Sequence, residues 1–225
     1  MKRSKRYKLA LDKIDKSKKY SLEEALKLIK EDKVKFDQGV EIHVRLGIDP
    51  KKGEQLVRGQ VVLPKGTGKA VKIMAFVSPE KEDEAKKAGA DIVGGESDIE
   101  NIKATQKVDF DVAVATPDMM KKIGPIAKIL GQKGLMPNPK TGTIGPNIGP
   151  IIEELKKGKV TFKNDDSANL HQLVGKLSFE DKDLLENIKA FMEAVNKAKP
   201  TKSKGTYVKS VVLCTSQGPS IKVNI

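Results

Sequence analysis

The sequence predicts a mixed α/β and α+β chain, in which a discontinuous basic α+β domain made from both termini (residues 1–67 and 157–225) is interrupted by an inserted α/β domain (residues 68–156). Three observations predict this. The formal charge of +13 over 225 residues sits at the ends: up to Gly66 there are 18 basic and 10 acidic residues, from Thr67 to Leu155 there are 12 and 13, and from Lys156 on there are 13 and 7. Both ends carry an amphipathic helix beside alternating strands. The middle runs strand, helix, strand, helix, the order of a parallel, Rossmann-like layer.

The elements follow in order. Ser21-Leu22-Glu23-Glu24 is a capping box, after which Leu22, Ala25, Leu26, Leu28 and Ile29 fall on or near one helical face. Val40, Ile42, Val44 and Leu46 alternate with Glu41, His43 and Arg45, a half-buried strand, and Val57–Leu63 reads as a returning strand. A linker, Pro64-Lys65-Gly66-Thr67-Gly68, leads into the middle. There Ala70–Val77 reads as a strand and Ser78-Pro79-Glu80 as a helix start, with the helix running to Ala88 and stopping at Gly89. Ile92-Val93 and Val112–Ala115 are further strands, and Thr116-Pro117-Asp118 repeats the helix start. A second linker falls at Lys157-Gly158, and two adjacent linkers predict a hinge. Beyond it come a strand at Lys159–Lys163, a helix over Phe179–Ala198 capped by Ser178 with Asp181, and strands at Tyr207–Leu213 and Ile221–Ile225.

Composition excludes several functions. No apolar run reaches 18 residues and no apolar core follows the basic start, so neither a membrane span nor a secretory signal is expected. Cys214 is the only cysteine, which excludes an internal disulfide and cannot by itself build a cysteine-based zinc site. The expected setting is the cytoplasm or the interior of an organelle. Aromatics are 4% of the chain and tryptophan is absent, which argues against a sheet of base-stacking rings. The basic ends instead suit a polyanion, bound with counterion release.

Candidate chemistry is sparse. Pro64–Ala70 resembles a nucleotide loop, but a P-loop needs a helix after it and a hydroxyl where Ala70 stands. A nucleotide-dependent enzyme using the middle domain is therefore the alternative, not the favoured reading, and no enzyme, cofactor or metal is expected. His43 and His171 are the only imidazoles, and His43 reads as a surface residue on the polar face of its strand. Gly131–Gly145, with Lys133 and Lys140, reads equally as a phosphate- or partner-contacting loop or as a packed structural one. Lys35-Phe36-Asp37 offers a cation beside a ring that packs on a sugar or base, or else joins the core. Thr215-Ser216-Gln217-Gly218-Pro219-Ser220 is dense in hydroxyls able to meet ribose 2′-hydroxyls, or is an ordinary polar turn.

The run Ile129-Leu130-Gly131-Gln132-Lys133-Gly134-Leu135-Met136-Pro137-Asn138-Pro139-Lys140-Thr141-Gly142-Thr143 resembles the signature of the universal L-one family of large-subunit ribosomal proteins, bacterial or organellar branch. Leu46–Pro50, Val57-Arg58-Gly59, Leu63–Lys69, Ala115–Asp118 and Gly205-Thr206-Tyr207 extend the resemblance over nearly the whole chain. The resemblance implies two hinged domains, the outer one binding the stalk region of large-subunit ribosomal RNA near the exit site. It further implies assistance to release of deacylated exit-site tRNA, repression of translation by binding the protein's own mRNA, no cofactor, and a monomer off the ribosome. By position, the family's RNA contacts fall on Lys35, Phe36, Ser210, Ser216, Gln217 and Gly218, with Thr215 beside them. A second contact loop falls on Asn164, Asp165, Asp166 and Ser167. Gln217 replaces an apolar methionine of the family pattern, and Asp166 stands where lysine is common. An acid there opposes phosphate, so the loop is expected either to face sugars or bases or to bind more weakly.

Overall fold

The computed structural model describes residues 4–32, 34–203 and 205–224, apart from the Lys140 side chain. In chain order its elements are α1 (Lys5–Asp12), α2 (Leu22–Lys30), β1 (Gly39–Leu46), β2 (Arg58–Val62), β3 (Ile73–Phe76), α3 (Glu82–Lys87), β4 (Ile92–Gly94), α4 (Glu96–Thr105), β5 (Val112–Ala115), α5 (Pro117–Ile123), α6 (Ala127–Gln132), α7 (Ile148–Lys156), β6 (Lys159–Lys163), β7 (Asn169–Lys176), α8 (Asp181–Lys197), β8 (Val208–Thr215) and β9 (Ile221–Val223). They fall into two compact units, one formed by the chain up to Gly68 together with the chain from Val160 on, the other by Lys69–Lys159.

The first unit is built on a four-stranded sheet in the order β7-β1-β8-β9. All three pairings are antiparallel. The alternation in β1 does what its sequence dictates: Val40, Ile42, Val44 and Leu46 are buried, while Glu41, His43 and Arg45 point the other way. Helices α2 and α8 supply the apolar partner, with Leu26 and Ile29 from one and Leu184, Ile188, Phe191 and Val195 from the other. Each such buried side chain contributes about 1.5–3 kcal/mol of transfer free energy. The capping box starts α2 as expected, with Glu24 N–H donating to Ser21 Oγ at 3.2 Å and Ser21 N–H donating to Glu24 Oε2 at 3.1 Å. Asn187 is buried in mid-helix and satisfied, since it donates to the carbonyls of Val174 and Gly66 and accepts from Lys65 N–H.

The second unit holds three parallel strands in the order β4-β3-β5. Every residue of β3 is buried, as a strand covered on both faces requires. Met74 and Phe76 pack on one side with Ile99, Ile123 and Leu130, and Ile73 and Ala75 on the other with Ala85, Ile148 and Ile152.

Several local expectations are corrected. β2 pairs with β6 in a separate two-stranded sheet and does not return along β1. The strand expected from Ala70 starts only at Ile73, and just before it the Lys72 N–H donates to the Asp111 carboxylate rather than to a strand neighbour. The helix expected from Glu80 is a short turn over Pro79–Lys81 followed by α3. Ser78 and Thr116 occupy N-cap positions, but their side chains make no capping bond. Ser178 does not cap α8 either, because its N–H and hydroxyl both donate to Asp37 at 3.1 and 2.8 Å and Glu180 takes the cap position. Ile225, placed at the end of the last strand, lies outside the described residues, as does the beginning of the basic start. Helices α1, α4 and α7 and strand β7 are additional to the sequence reading. No helix among the described residues is long and apolar enough to cross a membrane.

Candidate nucleic-acid interface

The helices cover one face of the four-stranded sheet and leave the other open. That face is populated by Glu41, His43 and Arg45 of β1, by Ser210, Val212 and Cys214 of β8, and by Asn169 and His171 of β7. Register fixes their neighbours: His43 stands opposite His171 and Val212, Arg45 opposite Ser210 and Asn169, and Glu41 opposite Cys214.

Two loops border this face and are bonded to each other. After α2 the chain presents Lys35 and Phe36, both exposed, the ring 49% so. An exposed phenylalanine is unusual, and only two other large hydrophobic residues are comparably open among the described residues. Phe36 is therefore not a core residue. Next to it, the buried Gln38 donates from Nε2 to the Asp32 carbonyl at 3.1 Å and accepts the Gln217 N–H at Oε1 at 3.0 Å. Gly39 N–H donates to Ser216 Oγ, and Ser216 N–H donates to the Gly39 carbonyl, both at 3.1 Å. The Lys35–Gly39 loop and the Ser216–Gly218 turn are thus one rigid piece.

Arg6 completes it by pairing with Asp32 and donating to the Gln217 carbonyl at 2.9 Å. Sequence reasoning missed Arg6 as a site residue, because it read the start only as a charge run. The signal was α1 itself, whose Ser4 cap fixes the helix that carries Arg6.

The other expected residues divide. Ser210 lies on the open face and Ser167 on an exposed loop. Thr215 is buried at 4% exposure on the core side and Asn164 likewise at 4%. Their roles are internal: Asn164 accepts Val57 N–H and donates to the Asp165 carbonyl. Asp165 turns its carboxylate to the Ser167 and Asn169 N–H groups, the Asn169 amide and His171 Nε2. Burial pushes its pKa up, but those four hydrogen bonds outweigh it and hold the carboxyl at about 2.

His43 is also corrected. It is half-buried rather than a free surface histidine, with Nδ1 2.7 Å from His171 Nδ1 and Nε2 3.0 Å from Cys214 Sγ. Burial, then the neighbouring His171, lowers its pKa, with Glu41 opposing. Burial and Glu41 raise the Cys214 thiol to about 11, so it is no resting nucleophile. Glu41, His43 and Cys214 are the described residues able to converge on a metal ion.

In the second unit, strand β3 and not a helix follows the Pro64–Ala70 glycine loop, which removes the geometry a P-loop needs. The Gly131–Gly145 loop bonds to itself, with Asn138 N–H donating to Thr143 Oγ1 at 2.8 Å and the Thr141 hydroxyl donating to the Asn138 carbonyl at 2.9 Å.

Comparison with known proteins agrees with the long irregular signature. The family model described as "Ribosomal protein L1p/L10e family" matches residues 27–219. Three relatives bear the name "Large ribosomal subunit protein uL1". That of Thermosipho melanesiensis is 50% identical over 99% of this chain and 97% of its own length. That of Mycolicibacterium vanbaalenii is 50% identical over 99% and 95%, and that of Thermus thermophilus 48% identical over 99% and 98%. With identity at this level running through both units, the chain belongs to the ribosomal protein L1p/L10e family, in its bacterial form.

Proposed function

We propose that the protein is a structural, non-enzymatic constituent of the large ribosomal subunit, and that it binds stalk-region ribosomal RNA through the open face and bordering loops of the first unit. The observation that carries this reading is the fastening of the Lys35–Gly39 loop to the Ser216–Gly218 turn, which holds a cation, an exposed ring and a hydroxyl-rich backbone turn in one fixed surface. Such a surface meets folded RNA by shape, stacking and 2′-hydroxyl contacts, while Arg6, Lys35 and Arg45 supply charge. Thr215 and Asn164 support the surface from beneath, whereas Lys35, Phe36, Ser167, Ser210, Ser216, Gln217 and Gly218 face the ligand. Asp165 acts as the organiser of its loop.

The two compact units are, on this reading, the discontinuous outer domain and the inserted domain. Release of deacylated exit-site tRNA is assigned to the inserted domain, and repression of the protein's own mRNA to the same RNA-binding surface. The ribosomal name of the relatives supports assembly into the large subunit in the cytoplasm.

The test is titration of the full chain with a large-subunit ribosomal RNA fragment across a salt series. Affinity is expected to fall linearly on logarithmic axes as salt rises, and Phe36→Ala is expected to weaken binding at every salt concentration. Affinity indifferent to both would reject the reading.

A further inference from the structure

On the open sheet face, three strands and the turn before β7 bring a chain of hydrogen-bonded groups together: Asp165, His171, His43 and Cys214. The tautomers follow from its acidic end. The ionised Asp165 carboxylate accepts at Oδ2 from His171 Nε2–H, 3.3 Å away. With that N–H on Nε2, His171 offers its lone pair on Nδ1, so His43 donates from Nδ1 across the 2.7 Å gap. The lone pair of His43 is left on Nε2, which faces Cys214 Sγ at 3.0 Å and Glu41 Oε2 at 3.8 Å. The orientation matches that of a metal-ligating histidine, whose other ring nitrogen is held by a second polar group.

We propose that Glu41, His43 and Cys214 form a three-ligand site for a borderline-soft divalent cation, zinc(II) in the first instance, with His171 and Asp165 as its orienting outer partners. The ligand atoms all lie within 4.8 Å of one another. A tetrahedral zinc ion with one sulfur, one nitrogen and one oxygen ligand asks for separations of roughly 3.4–3.6 Å, which the present distances of 3.0 Å from His43 Nε2 to Cys214 Sγ and 3.8 Å to Glu41 Oε2 bracket. Because Glu41 and Cys214 are directly paired across β1 and β8 and His43 is two residues along the same face, the sheet itself sets the spacing. On binding, Cys214 gives its thiol proton to solvent, Glu41 supplies a carboxylate oxygen and His43 lends its lone pair. The two negative ligands neutralise a divalent ion, which favours it over a monovalent one. All three ligands are half-buried, so a fourth position remains open to water or an incoming ligand, the pattern of sites with three protein ligands.

The experiment adds cobalt(II), then competing zinc(II), to the full-length protein. Since Cys214 is the chain's only cysteine, a thiolate-to-cobalt charge-transfer band in the near ultraviolet reports this site alone. The expected result is such a band, bleached by zinc, with one proton released per ion. Cys214→Ser abolishes it, His43→Gln and Glu41→Gln each weaken binding, and His171→Asn weakens it by about 10–100-fold. Circular dichroism identifies any variant that fails to fold, in which case the decision passes to Glu41→Gln, an open-face change outside the core. The proposal is overturned if no band forms at excess cobalt, or if the band survives unchanged in folded His43→Gln and Glu41→Gln, which would mean the thiol binds alone.

Discussion

The N–H of Gln217 donates to the side-chain carbonyl of Gln38 at 3.0 Å, and Gln38 is wholly buried. Residues 179 positions apart are joined by a side chain that also holds the Asp32 carbonyl. Replacing Gln38 by leucine removes the acceptor of the Gln217 N–H and the buried donor to the Asp32 carbonyl. The expected cost is about 1–3 kcal/mol, read as a lower midpoint in urea, together with a loss of RNA affinity that persists after correction for the folded fraction. Equal affinity in the folded variant would mean that the turn needs no fastening.

Phe36 tests the surface from the other direction. Its ring is half exposed, so Phe36→Ala is expected to change stability by no more than about 0.5 kcal/mol. A base or sugar stacked on the ring would make the same change cost about 1–3 kcal/mol in RNA binding. Thermal unfolding and RNA titration, run side by side, separate the two quantities.

Asp165 gives a pH signature. Its carboxyl is held at about 2 against an ordinary 3.8. A depressed pKa adds stability above the unfolded value, and that stability disappears as pH falls from about 4 through about 2. The carboxylate is more than a third exposed, so the size of the effect is reduced by solvent and its direction is the prediction. Melting temperatures measured over that window should fall less steeply in Asp165→Asn than in the parent, and Asp165→Asn should be the less stable of the two at neutral pH.

Gly47 is sterically required. A Cβ there would stand 2.1 Å from the Thr206 carbonyl oxygen, an atom of the backbone that cannot rotate away. Gly47→Ala is expected to destabilise by at least about 1 kcal/mol, measured by urea unfolding. An unchanged midpoint would show that the β1–β8 region gives way more readily than its packing suggests.

Much of this was legible in the sequence because local physics decided it. The β1 alternation, the α2 capping box and the α8 apolar stripe each carry their own signal, and all three elements form where expected. Strand β7 escaped notice because Asn169-Leu170-His171-Gln172 lacks a run of β-branched residues, and its place comes from pairing with β1. Ser178 is a good cap by type, yet Asp37, 141 residues away, claims it. The candidate surface was only half readable for the same reason. Phe36 and Gly218 stand out by residue type, but the burial of Thr215 and Asn164, the part played by Arg6 and the convergence of His43 with Cys214 all depend on strand register and turn geometry.

The central claim is that RNA meets the first unit's open face and its bordering loops. Ultraviolet crosslinking of the full-length protein to large-subunit ribosomal RNA, followed by mass spectrometry of the attached peptides, tests it most directly. Crosslinked peptides containing Lys35–Gly39, Asp165–His171 and Ser210–Gly218 are expected. Crosslinks confined to peptides between Lys69 and Lys159 would contradict it.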